Sequence, residues 1–143
     1  MNKGKYLAID FGDKRVGIAI SDLDKAIAFP RDFLTYSHLS DLSKQIAMLC
    51  EQESVVKIII GLPIQMDGTM GDRVKKTIEF GDRLKQTIHN VSIDYFDERL
   101  TTQQAIHRMQ AQGTKAKNQK PFTDSLSAQV ILETYLSQYR KGL

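Results

Sequence analysis

The stretch 56–60 constrains the fold of this chain most. It is apolar apart from Lys57, and it is followed by Gly61 and Pro63. A short apolar run bounded by such residues is typical of a strand that is buried on both faces of its sheet. Because other elements must then cover both faces, the stretch predicts a layered α/β fold.

Three strands are predicted ahead of this one. Residues 6–11 and 16–21 are short aliphatic runs on either side of the turn 12–15, a pattern that predicts a tight β-hairpin. A third strand is predicted over 26–36, where Pro30 restricts it to a sheet edge or a bulge.

Helices are predicted where apolar residues recur at spacings of three and four. A fifth strand is predicted over 91–96, a further helix from the capping-box spacing of Thr101 and Gln104, and a last helix from about Asp124 to Tyr139. The order β-β-β-α-β-α-β-α-α implies a five-stranded mixed sheet with helices on both faces, as an RNase H-like domain requires. The helical spacings are those of Leu39, Leu42, Ile46 and Leu49 in one segment and Val74, Ile78, Gly81, Leu84 and Ile88 in the next.

The composition fits one globular domain spanning residues 1–143, because hydrophobic residues make up 41% of the chain. The only cysteine, Cys50, lies in an apolar segment and is expected to be a buried, unreactive thiol, which suits a reducing compartment. The apolar run at 6–9 stops at Asp10, too early for a signal peptide. No apolar run approaches the roughly 20 residues of a membrane span. We therefore expect a cytoplasmic protein.

Acidic residues stand at the ends of predicted elements. Asp10 ends the first strand, and Asp97 and Glu98 end the last one. Asp10 is explained equally well as a turn aspartate, and the second pair as exposed acids neutralised by Arg99. A carboxylate that ends a buried strand is nevertheless costly unless it is paired, hydrogen-bonded or metal-bound. Adjacent strand residues point to opposite faces, so only one of the pair shares a surface with Asp10, and parity alone leaves open which.

Asp124 stands at the start of the last predicted helix. An acid in a first turn is also favourable for the helix dipole. It shares a helical stripe with Ala128, Ile131 and Tyr135, the face expected to pack on the sheet. The small Ser127 and Ala128 allow a close approach, which places Asp124 near the strand ends, where α/β sheets build their sites.

Asp10, one acid of the pair Asp97 and Glu98, and Asp124 would form a hard, oxygen-rich centre without histidine or cysteine. Such a centre suits Mg²⁺ or Mn²⁺. These ions support hydrolysis of phosphodiester bonds, so the acids predict a metal-dependent nuclease. His38, His89 and His107 have no ligand or triad spacing and are not assigned to catalysis.

Basic residues supply a candidate surface for nucleic acid. The formal net charge is +3, and the stretch 99–123 holds no acidic residue. That stretch is either a solvated face or a loop that contacts phosphates just before Asp124. The residues predicted to contact the nucleic-acid backbone are Lys14, Arg15, Arg99, Lys115, Lys117 and Lys120.

Four sequence blocks resemble the YqgF family, in that family's order and over essentially the whole chain. The family has an RNase H-like fold related to the Holliday junction resolvase RuvC. It is associated with maturation of the 5′ end of pre-16S ribosomal RNA and was earlier proposed to be a junction resolvase. The blocks are 10–19, Gly61-Leu62-Pro63 with Met66-Asp67-Gly68-Thr69, 97–102 and 124–128.

The resemblance implies that Asp10, Glu98 and Asp124 form the acidic site, and it favours Glu98 over Asp97. It also implies a structured RNA, namely pre-16S rRNA, as the substrate, with a monomer or weak homodimer acting on it. Asp13 departs from the small hydroxyl residue expected after the glycine of the first block, so it either binds metal or pairs with a neighbouring cation.

Three alternatives remain at the level of the sequence. A resolvase acting on branched DNA would need a suitable dimer, and a non-catalytic RNA-binding module in ribosome assembly would keep the fold alone. An actin-like ATPase shares the Asp-x-Gly hairpin, but it needs two such domains. The loop around Gly61 and Gly68 is expected to serve turn geometry, with Gly68 at positive φ, or else to hold a phosphate on backbone N–H groups.

Overall fold

The computed structural model describes residues 4–101, 106–107, 111 and 125–141, with side chains to Gln138 in the last range. A single five-stranded sheet organises these residues, and its spatial order is third, second, first, fourth, fifth strand. The strands are β1 (Lys5–Asp10), β2 (Arg15–Ser21), β3 (Ala28–Thr35), β4 (Val55–Leu62) and β5 (Ser92–Asp97).

The sheet is mixed, as predicted. β1 pairs antiparallel with β2 and parallel with β4, while β4 pairs parallel with β5. β3 pairs antiparallel with β2 and lies at the sheet edge, where Pro30 is tolerated. Because β1, β4 and β5 run in the same direction, their carboxyl ends at Asp10, Leu62 and Asp97 lie at one edge of the sheet.

Helices cover both faces, which confirms the predicted layers. The helices are α1 (Leu39–Glu53), α2 (Asp72–Thr87) and α3 (Leu126–Lys141), with a short 3₁₀ helix over Glu98–Leu100. α1 and α2 share one face with an apolar core, and α3 packs on the other face. Within the described ranges, no helix combines the length and apolar character needed to cross a membrane.

Strand alternation in β1 decides which helix layer faces the predicted site. Leu7 and Ile9 are buried beneath α1 and α2, whereas Tyr6 and Ala8 belong to the core beneath α3. Because successive strand residues point to opposite faces, Asp10 continues the second series. The end of β1 therefore presents its carboxylate toward α3.

Two element ends differ from the sequence prediction. β5 ends at Asp97, and Glu98 begins the 3₁₀ helix, because the Asp97 carboxylate accepts the backbone N–H of Arg99 and turns the chain there. α3 begins at Leu126, two residues after the predicted start. Gln104, half of the predicted capping box, lies outside the described residues, although Ile106 is helical.

The expectation for Cys50 is confirmed. Its side chain is buried in the core beneath α1. Burial raises the pKa of this thiol to about 12, so it holds its proton at neutral pH and is a poor nucleophile.

Candidate active site

Asp10 stands half-buried at the end of β1, facing α3. Burial raises the pKa of its carboxyl group, while the charge of Arg73 and a hydrogen bond from the Ser127 hydroxyl act in the opposite direction. The carboxylate is thus held by α3 yet lacks a direct cationic partner among the described residues. Such a group gains from binding a cation.

Glu98 brings a second carboxylate to the same place. Its Oε2 atom lies over β4, 2.8 Å from the position that a Cβ atom on Gly61 would take. Burial and, to a smaller extent, the negative charge of Asp10 together raise the pKa of Glu98 to about 7, against the opposing charge of Arg73. The two carboxyl groups are therefore close enough to repel each other when both are ionised.

Asp97 is engaged elsewhere. Its carboxylate forms a bidentate ion pair with Arg99. Oδ2 accepts from Nη2 at 2.7 Å and from Nε at 3.0 Å, and Oδ1 also accepts from Nε. The hydrogen bond from Arg99 holds the pKa of Asp97 below its usual value. The structure thus brings Glu98, and not Asp97, to Asp10, and Arg99 binds Asp97 through Nε and Nη2.

The start of α3 is fixed against β2 beside Asp10. The fully buried Ser125 hydroxyl accepts the backbone N–H of Ile18 at 3.0 Å. The helix start packs closely on β2 here, since a Cβ atom on Gly17 would be in van der Waals contact with Cα of Ser125, at 3.6 Å, and with Cβ of Asp10, at 3.4 Å. Asp124, the residue before Ser125, lies outside the described residues, so its predicted role in the site stays a prediction.

Some of the basic residues predicted to contact nucleic acid lie at the site, and others fall outside the described residues. Lys14 and Arg15 are exposed in and after the turn that follows β1, and the Arg15 guanidinium lies 4.9 Å from the ring centroid of Phe33. Both cations thus stand at the strand end that bears Asp10. The predicted contacts that fall outside the described residues are Lys115, Lys117 and Lys120.

The charge of Asp13 acts on Tyr36 and is not among the charges that act on Asp10 and Glu98. Asp13 is exposed in the hairpin turn, and its charge, after burial, raises the pKa of the Tyr36 phenol. The Tyr36 hydroxyl in turn donates to the carbonyl of Gly12 at 2.7 Å. Asp13 therefore faces the α1 side of the turn, and Asp10 faces α3.

The loop after β4 is held by hydrogen bonds between its own residues. Gly68 has φ of +87°, which confirms the expected positive φ. The Asp67 carboxylate accepts the backbone N–H and the hydroxyl of Thr69, at 2.9 and 2.7 Å. These local bonds account for the Asp67-Gly68-Thr69 block as a turn.

Arg73 is a site residue that the sequence analysis missed. It belongs to the first turn of α2, and its Nη2 donates to the carbonyl of Phe11 at 3.1 Å. Its charge acts on both Asp10 and Glu98, where it opposes the effect of burial. One signal was available: a cation in the first turn of a helix is disfavoured by the helix dipole, so its presence calls for another reason.

The donor set fits a hard divalent cation. Asp10 and Glu98 offer carboxylate oxygens alone, and burial raises the pKa of both, with the charge of Asp10 adding to the rise at Glu98. Oxygen donors of this kind suit Mg²⁺ and Mn²⁺. Among the residues that the structure describes, no group of three acids, histidines or cysteines is arranged to hold a metal; two of the three predicted ligands are in that part.

Two solved structures of similar fold are complexes with Holliday junctions. The chain is similar to Thermus thermophilus RuvC in complex with a Holliday junction, with a TM-score of 0.67 at 10% identity over 97% of this chain and 96% of that one. It is also similar to the fowlpox virus resolvase in complex with a Holliday junction, with a TM-score of 0.57 at 12% identity over 94% and 98% of the two chains. These likenesses establish the RNase H-like fold.

Relatives with higher identity are provisionally named pre-16S rRNA nucleases. One from Acetivibrio thermocellus is 41% identical over 140 residues, covering 97% of this chain and 99% of the relative. Another from Rickettsia conorii is 34% identical over 134 residues, covering 94% and 86%. The family model described as RuvX, Holliday junction resolvase, matches residues 4–138. This chain belongs to the RuvX family, which confirms the resemblance to YqgF proteins seen in its motifs.

Proposed function

We propose that this chain is a metal-dependent nuclease that hydrolyses phosphodiester bonds in the 5′-end processing of pre-16S rRNA. One observation carries the proposal: Asp10 and Glu98, far apart in sequence, meet half-buried at the carboxyl-end edge of the sheet with raised pKa values. Two acids kept together against their repulsion are characteristic of a site that binds cations or transfers protons. The names of the A. thermocellus and R. conorii relatives support the choice of RNA.

Asp10 and Glu98 would hold the metal, with Asp124 as the predicted third ligand. When bound, Mg²⁺ or Mn²⁺ would supply Lewis-acid stabilisation of phosphate oxygens and activation of a water molecule. Ser127 keeps the Asp10 carboxylate oriented toward the site. Because the pKa of Glu98 is about 7, a proton and a cation compete for its carboxyl group near neutral pH. Binding of the metal would therefore release a proton from Glu98.

The exposed cations Lys14 and Arg15 would guide the nucleic-acid backbone to the strand ends. Such contacts position phosphates without reading bases. The acid-free stretch 99–123 supplies further cations in sequence, of which Arg99 is already paired with Asp97. We therefore assign backbone contacts to Lys14 and Arg15 and, as a prediction, to the three lysines Lys115, Lys117 and Lys120.

A second candidate, resolution of branched DNA, is favoured by the description of the RuvX family as a Holliday junction resolvase. Cutting a four-way junction needs two active sites acting on two strands, hence a homodimer. The two candidates differ in their substrate and in the oligomeric state that cleavage requires.

The deciding experiment compares cleavage of an RNA spanning the 5′ end of 16S rRNA with cleavage of a four-way DNA junction, in Mg²⁺, Mn²⁺ and excess chelator. Asp10→Asn should abolish cleavage without loss of fold, because the amide keeps the size of the side chain and removes its charge. Asp24→Asn is the matched control, since that exposed acid lies in the turn between β2 and β3, at the other end of the strands, and it should stay metal-dependent and active.

Faster cleavage of the RNA supports rRNA processing, whereas faster cleavage of the junction by a dimer supports resolution. Full activity of Asp10→Asn, or of the wild type in chelator, would reject metal-dependent hydrolysis. RNA binding without cleavage under any metal condition would favour the non-catalytic assembly module.

A further inference from the structure

Two contacts join α2 to Phe11, the residue that follows β1. Nη2 of Arg73 donates to the Phe11 carbonyl at 3.1 Å. The Phe11 ring stacks on Phe80 of the same helix, with ring centroids 4.6 Å apart and planes inclined by 11°. α2 and the residue after Asp10 are therefore held together, and the hydrogen bond to the Phe11 carbonyl places the guanidinium beside the end of β1.

The guanidinium of Arg73 lies near Asp10 and Glu98 and is not engaged in an ion pair with either acid among the described residues. Its charge acts on Asp10 and on Glu98, yet within the described residues it forms no direct ion pair with them. Arginine has five N–H donors in a planar fork, and the carbonyl of Phe11 takes one of them. Arg73 is an exposed residue, so its remaining donors can reach a bound molecule.

Helix stability does not explain this placement. The N-terminus of a helix carries partial positive charge, so a cation in the first turn is unfavourable there. Asp72, the first residue of α2, already provides the favourable acid. A nucleic acid, by contrast, approaches two carboxylates that repel its phosphates, and a fixed cation beside them offsets that repulsion.

We propose that Arg73 binds a backbone phosphate of the nucleic acid at the carboxylate site. The planar guanidinium matches two phosphate oxygens in a way that a lysine does not. This inference rests on the proposed nuclease function and adds to it a phosphate contact from α2, on the opposite side of the strand ends from α3. The competing role is that of a counter-ion that only balances Asp10 and Glu98.

The test is a double-mutant cycle read out by binding rather than cleavage. The RNA spanning the 5′ end of 16S rRNA is titrated at several salt concentrations in chelator, with Arg73→Ala in the wild-type chain and in the Asp10→Asn/Glu98→Gln double variant. The matched control is Arg83→Ala, the same change ten residues later on the same helix, about 15 Å away along its axis. Arg73→Lys keeps the charge and removes the fork.

A phosphate contact predicts that Arg73→Ala weakens binding about tenfold in both backgrounds and lowers the salt dependence by about one phosphate. Arg83→Ala should change neither, and Arg73→Lys should keep the salt dependence but lose part of the affinity. Thermal unfolding is measured in parallel. If Arg73→Ala does not fold, the comparison of Arg73→Lys with Arg83→Lys takes its place.

A loss that appears only when Asp10 and Glu98 are charged would overturn the proposal and leave Arg73 as a counter-ion. Equal affinities and salt slopes for Arg73→Ala and Arg83→Ala would overturn it as well, while cleavage by the wild type leaves the nuclease function intact. A wild-type chain that neither binds nor cleaves the RNA or the junction rejects the proposed function, and this inference with it.

Discussion

The carboxylate of Glu98 occupies space that Gly61 leaves open, since a Cβ atom on Gly61 would lie 2.8 Å from Oε2 of Glu98. The same Cβ atom would lie 2.6 Å from Cδ1 of Ile131 on α3. Gly61→Ala should therefore displace both groups, reduce cleavage at least tenfold and lower the free energy of unfolding by about 1–3 kcal/mol. Activity assays and urea unfolding measure the two effects.

A second substitution separates these effects. Adding Ile131→Val to Gly61→Ala removes the Cδ1 atom and should restore much of the stability, but it leaves the crowding of Glu98 and so leaves cleavage impaired. Recovery of cleavage together with stability would show that Gly61 matters for packing rather than for the position of Glu98.

The stability of the metal-free protein should fall as pH rises from about 4.5 to about 7. Over this window folded Glu98, with its pKa raised from 4.5 to about 7, holds a proton that the unfolded chain has lost. The deficit above pH 7 is about 2 kcal/mol, counted at about 1.4 kcal/mol per pKa unit and reduced for partial solvent screening. Glu98→Gln should remove it, so the variant should be the more stable protein at pH 8 in chelator.

Asp97→Asn is the control for this prediction, because Asp97 affects the pH dependence of stability in the opposite direction to Glu98. The pKa of Asp97 is lowered by its hydrogen bond with Arg99, so its stabilisation is present above the usual pKa of 3.8 and is lost on acidification. This variant should gain nothing at pH 8. Identical pH profiles for wild type and Glu98→Gln would contradict the buried carboxylate pair.

Binding of Mn²⁺ should release about half a proton at pH 7, because the pKa of Glu98 lies there. Calorimetric titration in buffers of different ionisation enthalpy measures this number, and the affinity should rise with pH through about 7. Glu98→Gln should weaken binding and remove the proton release. Proton release that is unchanged in Glu98→Gln would place the titrating group elsewhere.

Ser125→Ala should destabilise the protein by about 1–3 kcal/mol, because it leaves the buried N–H of Ile18 without its acceptor. The start of α3 should loosen as well, which hydrogen exchange at Ile18 would report. Ser137→Ala, later on the same helix, is the matched control. Equal unfolding midpoints for the two variants would show that the Ser125 hydroxyl does not fix the helix start.

Replacing Lys115, Lys117 and Lys120 by alanine should weaken RNA binding and reduce its salt dependence by up to about three phosphate contacts. Backbone contacts do not choose sequence, so affinities for unrelated RNAs should fall together and thermal stability should change little. Binding titrations at several salt concentrations test this. Unchanged slopes would mean that the stretch is a solvated face.

The sequence by itself determined the layers, the strands and the face of Asp10. Alternation puts Tyr6, Ala8 and Asp10 on one face of β1, which the structure shows to be covered by α3, and the apolar run ending at Gly61 predicts the doubly covered strand β4. A periodicity of two residues indicates strands, a periodicity of about 3.6 residues indicates helices, and turn residues mark where the elements end. These features involve neighbours along the chain, so local patterns suffice to reveal them.

Only the tertiary structure decided which groups surround Asp10. Strand parity left Asp97 and Glu98 equivalent, and only the resemblance to YqgF proteins favoured Glu98. The physical reason lies in the turn after β5, where Asp97 pairs with Arg99 and the Glu98 carboxylate lies over Gly61. Arg73 reaches a carbonyl 62 positions away, and Ser125 meets Ile18 across 107 positions. No local pattern encodes such contacts, because they depend on how α2 and α3 pack against the ends of the strands.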